Sequence, residues 1–276
     1  MVITAKDVKK LRLMTGAGMM DCKRALAAAG GDFEAAIDLL RKKGQKVAAK
    51  RADKEALQGL IVARISGNGQ RGALAEINCE TDFVARNDKF AAFADGVTRI
   101  VLESAPTSHD ALMALDYGHG RTVAEALTEL TGKVGEKLDI RRFAVLTSLL
   151  GRVVAYVHPG SRLGVLVELS GNGQVDSTGR DVAMQVAALN PAAAFREDVP
   201  QEIQNKEMEI AREAARNEGK PEHILDRIAR GKLERYFKDH VLVEQPFVKD
   251  ASLRVRDILA QAGAELHRFV RYQLGG

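Results

Sequence analysis

Few residues of this sequence have the types and spacing that support covalent chemistry. Cys22 and Cys79 lie in separate segments without a C-x-x-C pair, so neither a metal site nor a disulfide framework is expected, and both read as small core hydrophobes. The six histidines are scattered, and neither cysteine has a general base beside it in the sequence, which leaves no catalytic constellation to assign. Gly67-Asn68-Gly69-Gln70-Arg71-Gly72 matches the G-x-G-x-x-G of dinucleotide sites. That loop receives a pyrophosphate only where it opens a helix, because the free N–H groups of the helix end hold the anion. Here a strand pattern follows, so the glycines read as turn residues that tolerate positive φ. No catalytic residue, cofactor or metal ligand is expected.

What remains is a stretch suited to recognition, Asn78-Cys79-Glu80-Thr81-Asp82-Phe83-Val84-Ala85-Arg86-Asn87-Asp88, where a strand pattern gives way to a helix pattern. Thr81 and Asp82 are natural N-cap residues, since a short side-chain oxygen accepts the first free N–H groups of a helix; Phe83 then falls in the opening turn between charged neighbours. Two readings are open for Phe83: a staple-like contact on its own helix, or an aromatic that protrudes.

The elements that position this stretch follow from length and pattern. With 276 residues, 46% hydrophobic and 28% charged, the chain can bury a real core and divide into more than one folding unit. The segment from Met1 to Asp7 has no apolar stretch behind its positive charges, and no later run is long enough to cross a bilayer, so no membrane association is expected and the default location is cytoplasmic. A net charge of +4 and a pI near 9.0 raise the question of nucleic acid. Yet 37 acidic residues are interspersed among 41 basic ones, Trp is absent, and the densest basic run, Arg41 through Lys54, reads as a helix end and linker. A charged solvated surface without direct nucleic-acid contact is expected.

Residues 5 to 42 carry three short helical patterns: Val8 and Leu11 after a Thr4 cap; Met19, Cys22, Leu26 and Ala29; and Phe33, Ile37 and Leu40 after an Asp32 cap. Met19 and Met20 are adjacent, about 100° apart around a helix, so both cannot enter so small a core and one should be exposed. Leu57 to Glu80 alternates like a β-hairpin; Phe90, Phe93, Val97 and Val101 then share one helix face up to Pro106. Residues 107 to 142 read as a helical connection with a capping box at Thr122 and Glu125.

The chain then repeats itself. A shift of 92 residues, the step from Gly59 to Gly151, also sets Val62 on Val154, Gly72 on Gly164, Leu74 on Leu166, Glu76 on Glu168 and Ala91 on Ala183 without a gap. Two copies of strand, turn, strand and helix imply a duplicated α+β core. The copies part at Thr81-Asp82-Phe83-Val84, which falls on Gly173-Gln174-Val175-Asp176, read as a polar glycine-containing loop; the scaffold therefore does not require a Phe there. From Pro200 to Phe237 the pattern is an antiparallel helical hairpin with a thin seam of Ile203, Ile210, Ile224 and Ile228. The resulting division is a three-helix module over 1–55, a first core subdomain over 56–145, and a second over 146–276 that carries the hairpin at about 200–237.

Thr15-Gly16-Ala17-Gly18-Met19-Met20-Asp21-Cys22-Lys23, Asn78 through Ala85 and Gln245-Pro246-Phe247-Val248 together resemble the bacterial translation elongation factor Ts family, in the right order and over essentially the whole chain. The resemblance implies a ubiquitin-associated-like N-terminal module, two core subdomains and a helical hairpin. It implies a guanine-nucleotide exchange factor that binds the GTPase elongation factor Tu, without covalent catalysis, in a heterodimer or a dimer of heterodimers. Carried over by residue, it implies that Arg12, Met19 and Met20 bind the GTPase domain and that Thr81, Asp82, Phe83 and Val84 wedge beside the bound magnesium and nucleotide. His158, Phe247 and Val248 are implied as further contacts; apart from the resemblance, His158 reads as an ordinary loop histidine. The alternative is a basic RNA-associated translation protein without exchange activity, which would need aromatics interleaved with a Lys/Arg stripe. The resemblance does not extend to the further C-terminal helix that some relatives carry.

Overall fold

A computed structural model describes residues 3–173 and 175–276. Gln174, which the repeat sets against Asp82, lies outside the described residues. The fold is α+β, and its contacts divide into two compact units: Met1–Val62, Ala75–Ala144 and Gln273–Gly276, and then Ala63–Leu74 with Val145–Tyr272.

The first unit opens with α1 (Ala5–Thr15), α2 (Met19–Ala28) and α3 (Phe33–Arg51). Their ends are written in the sequence. Thr4 and Asp7 form a capping box, Gly16 ends α1 at φ 65°, and the Asp32 carboxylate accepts from the N–H groups of Glu34 and Ala35. Val8, Leu11, Cys22, Ala25, Leu26 and Ala36 form the core of these helices.

β1 (Gln58–Ile65) and β2 (Arg71–Cys79) form the expected hairpin, and α4 (Asp82–Ala85) and α5 (Asp88–Ser104) follow. Phe90, Phe93, Val97 and Val101 of α5 are all buried. The chain continues through α6 (His109–Ala114), β3 (Asp116–Gly118), β4 (Arg121–Thr122), α7 (Val123–Val134) and β5 (Leu138–Thr147). The capping box forms as read, with Thr122 N–H donating to Glu125 at 2.8 Å and Glu125 N–H donating to Thr122 Oγ1 at 3.2 Å.

Two expectations are corrected here. The segment over 107–142 is not only helical: its end is the start of β5, which completes a sheet of order β1-β2-β5 and buries Leu138, Ile140 and Leu146 at period-two spacing. The basic run over 41–54 is a longer helix end than read: residues 41–51 are the second half of α3, and the connection to β1 begins only after Arg51. That half stays helical because it has a partner, α7, on which it packs through glycines: a Cβ built on Gly132 would lie 2.4 Å from the Gly44 Cα.

That contact reverses the usual sign of a substitution. Gly→Ala inside a helix ordinarily gains about 1 kcal/mol of propensity. Here Gly132→Ala must push α7 off α3, so a net loss of about 1 to 2 kcal/mol is expected in denaturant unfolding; a stabilised variant would show that the two helices do not touch there.

The second unit is built on β6 (Arg152–Val157), β7 (Leu163–Gly171), α8 (Val175–Leu189), the hairpin of α9 (Gln201–Asn217) and α10 (Glu222–His240), then β8 (Pro246–Phe247), β9 (Asp250–Arg254), α11 (Val255–Gln261) and β10 (Ala264–Gln273), with sheet order β10-β7-β6. The repeat is visible in atomic detail. β7 is β2 displaced by 92 residues, and a Cβ on Gly59 would sit 2.1 Å from the Ile77 carbonyl oxygen, while one on Gly151 would sit 2.0 Å from that of Leu169. Both copies also bury a glutamate on the middle strand against an arginine of the third: Glu76 with Arg142 at 2.7 Å, and Glu168 with Arg268 at 2.6 Å.

The hairpin seam differs from the expected one. Ile203 and Ile210 are exposed, and the buried positions are Ala211, Ala215, Leu225 and Ala229. Alanine lets two helix backbones approach closely, which a row of isoleucines would prevent. At the base, Phe237 is buried with Ala193, Val199 and Val241, and Arg196 lies 4.7 Å from its ring centroid while pairing with Glu234 and Glu244.

Candidate functional site

The two copies diverge at the stretch that the sequence singles out. In the second copy the residues over 175–176 already belong to α8, and Val175 is buried, so the expected polar loop is shorter than read. In the first copy the helix breaks after one turn. Thr81 caps α4, with its Oγ1 accepting from Val84 N–H at 3.4 Å, and Asn87 caps a new start at α5. The result is a four-residue helix with no buried residue, and Phe83 on it is 82% exposed. The staple-like contact is therefore not made. An aromatic side chain held this far into water is costly to present unless something covers it.

The short helix is firmly held. Glu136 accepts from both Thr81 N–H (3.0 Å) and Thr81 Oγ1 (2.7 Å), and the neighbouring Glu80 accepts from Lys137 N–H at 2.6 Å and pairs with Arg51 at 3.0 Å. The Cys79 thiol donates to the Thr81 carbonyl at 3.1 Å; burial, and then the Glu136 carboxylate, push it up to about 12, so it stays protonated and serves as a structural donor. Asp82 pairs with Arg86, the residue that caps the end of α4, at 3.0 Å. Sequence reasoning did not find Glu136 or Arg51, because they lie 55 and 29 residues from the residues they hold. The only local signal was the run of polar residues at a strand end.

Glu136→Ala removes two charge-assisted hydrogen bonds at a half-buried position. It should lower stability by about 1 to 2 kcal/mol and speed hydrogen exchange at the Thr81 amide. An unchanged Thr81 amide would show that the clamp is elsewhere.

In the same unit, Arg12 is exposed, and Met19 and Met20 are both exposed, at 43% and 59%, where only one was expected. Leu13 and Met14 are exposed as well, so the turn between α1 and α2 carries an apolar surface that the spacing argument underestimated. The three-helix core is too small to take them. Lys89 Nζ donates to the Gly16 carbonyl at 3.2 Å and ties this turn to the start of α5.

In the second unit, His158 is exposed in the β6–β7 turn, its Nδ1 2.9 Å from the Tyr156 hydroxyl. Phe247 is buried at 7% and Val248 is 46% exposed, so Val248 is the outward member of that pair. Its backbone is fixed by a buried amide that the sequence did not reveal. Gln185 Oε1 accepts from Val248 N–H at 2.8 Å, and Gln185 Nε2 donates to the Pro246 carbonyl at 3.1 Å and to Gln245 Oε1 at 3.2 Å. Gln245 in turn donates to the Asp239 carbonyl at 2.8 Å. No helix among the described residues is long and apolar enough to cross a membrane.

Comparison with known proteins identifies a family. The family model described as Elongation factor TS matches residues 80–276. The elongation factor Ts of Prosthecochloris aestuarii is 46% identical, covering 99% of both chains, and that of Chlorobium phaeobacteroides is 44% identical at the same coverage. The elongation factor Ts of Alkalilimnicola ehrlichii is 46% identical over all of this chain and 93% of its own length. With a family model over most of its length and relatives matched nearly end to end, the chain belongs to the elongation factor Ts family of translation elongation factors.

Proposed function

We propose that this protein is a guanine-nucleotide exchange factor for elongation factor Tu, and that Thr81, Asp82, Phe83 and Val84 form the wedge that displaces the partner's bound magnesium. The observation that carries the reading is the 82% exposure of Phe83 on a short helix clamped by Glu136. Exchange needs no covalent step and no enzyme in the bond-making sense. The factor must bind the nucleotide-free GTPase more tightly than the nucleotide-bound one; coupling is reciprocal, so its binding then weakens nucleotide binding by the same factor. An aromatic driven beside the nucleotide shifts the groups that hold the metal, and loss of the metal removes the charge that neutralises the phosphates.

Arg12, Met19 and Met20 are assigned to the GTPase domain, because unbranched methionine side chains adapt to irregular apolar surfaces. His158, Val248 and the Phe247 that supports it are assigned to further contacts, in a heterodimer or a dimer of such pairs. Within the proposed division into 1–55, 56–145 and 146–276, the first segment supplies binding and the wedge supplies exchange. Release of a fluorescent guanine nucleotide from elongation factor Tu, followed with and without this protein, is the direct test. Acceleration is expected at substoichiometric amounts, and Met20→Ala should weaken complex formation without abolishing release. No acceleration at any ratio would end the proposal.

A further inference from the structure

A cleft of about 670 Å³ lies within the first unit, between the turn joining α1 and α2, the second half of α3, and the faces of α5 and α7. Its volume is in the range that holds a small organic ligand. The wedge is not part of its lining. Five cationic side chains line it, Arg41, Lys43, Lys89, Arg121 and Lys133, against two carboxylates, Asp21 and Glu129.

Each carboxylate is already shared. Glu129 pairs with Lys133 at 2.5 Å and with Arg121, and Asp21 pairs with Lys43 at 2.5 Å and with Arg24. Arg41 has no carboxylate within ion-pairing distance among the described residues, and Lys89 reaches only the Gly16 carbonyl, at 3.2 Å. The ammonium groups of Lys89 and Lys133 converge: a Cβ built on Gly16 would lie 3.4 Å from one and 3.5 Å from the other. Glu129 neutralises Lys133, so the charge left uncompensated on this side of the cleft is that of Lys89, with Arg41 on the α3 side.

Beyond the cations the lining turns apolar and aromatic, with Ile37, Leu40 and Leu130 and the half-buried ring of Tyr117, which stands 5.4 Å from the Phe93 ring. These groups present surface, not a set of base-edge hydrogen bonds. We propose that the cleft binds a nucleoside phosphate, its phosphates between Lys89 and Lys133 with Arg41 nearby, its base on Tyr117 and the apolar wall, and with little discrimination between purines. This site does not depend on the wedge or on exchange.

The test uses the full chain freed of elongation factor Tu, titrated in a calorimeter with ADP, GDP, inorganic pyrophosphate and adenosine. ADP and GDP should bind saturably below about 1 mM and within a few-fold of each other, pyrophosphate and adenosine each at least about tenfold more weakly, and added salt should weaken the nucleotides. Lys89→Gln and Arg41→Gln, both at exposed positions, should each lower ADP affinity by about tenfold or less while leaving the melting temperature in place. Absence of saturable ADP binding would overturn the proposal, as would unchanged affinity in both variants. Pyrophosphate as tight as ADP would remove the nucleoside from it, and adenosine as tight as ADP would remove the phosphate.

Discussion

Phe83→Ala is expected to leave the protein folded and to lower stimulated nucleotide release from elongation factor Tu by roughly 5- to 100-fold, the span of a typical coupling energy between two sites. The two halves of this expectation come from one number. At 82% exposure the ring contributes almost nothing to the core, so truncation should change unfolding free energy by no more than about 0.5 kcal/mol, whereas a buried Phe cut to Ala loses about 3 to 5 kcal/mol. Binding should partly survive through the other proposed contacts, so the loss should be larger in release than in affinity for the nucleotide-free partner. Asp82→Ala should follow the same course more mildly, since its pair with Arg86 is surface-exposed and adds little to stability. The measurement is paired: denaturant unfolding of the variant alone, and nucleotide release at fixed magnesium. A destabilised variant with normal release would sink the wedge.

Gly59→Ala and Gly151→Ala should be among the most damaging single-methyl additions in the described residues. The new Cβ would meet a backbone carbonyl oxygen at 2.1 Å and 2.0 Å respectively, on the adjacent strand of the same hairpin, where neither partner can rotate away. Gly59 also sits at φ 150°, a conformation that a side chain disfavours. Overpacking and strain together point to a loss of about 3 kcal/mol or more at Gly59, and somewhat less at Gly151, where the clash acts without the unfavourable φ. For a chain of this size that is roughly a 5 to 12 °C fall in Tm. Thermal unfolding decides the matter, and a fall under about 1 °C in both variants would mean that the strands do not approach so closely.

What the sequence determined by itself is what near neighbours along the chain control. Caps at Thr4, Asp32 and Thr122, the buried face of α5, the turn over Gly67 to Gln70 and the 92-residue repeat all follow from side chains within a few residues of the backbone they serve, or from direct comparison of one copy with the other. Of the three turn glycines only Gly69 takes a positive φ, and Gly72 already belongs to β2. The family motifs were legible for the same reason. Tertiary structure alone decided where distant segments meet. The basic run after Arg41 continues as helix because Gly44 finds Gly132, 88 positions on, and β5 is a strand because it has the edge of β2 to pair with. Three alanines and Leu225 are the buried hairpin positions, with Ile224 and Ile228 half-buried and Ile203 and Ile210 exposed, because the approach of two helix axes selects small residues, a constraint that hydrophobicity along one helix does not contain. The proposed site shows both sides. That Phe83 is dispensable to the scaffold could be read from the repeat, but its exposure and its fixed aim depend on Glu136 holding Thr81, a hydrogen-bonded pair created only when the chain folds and brings the two together.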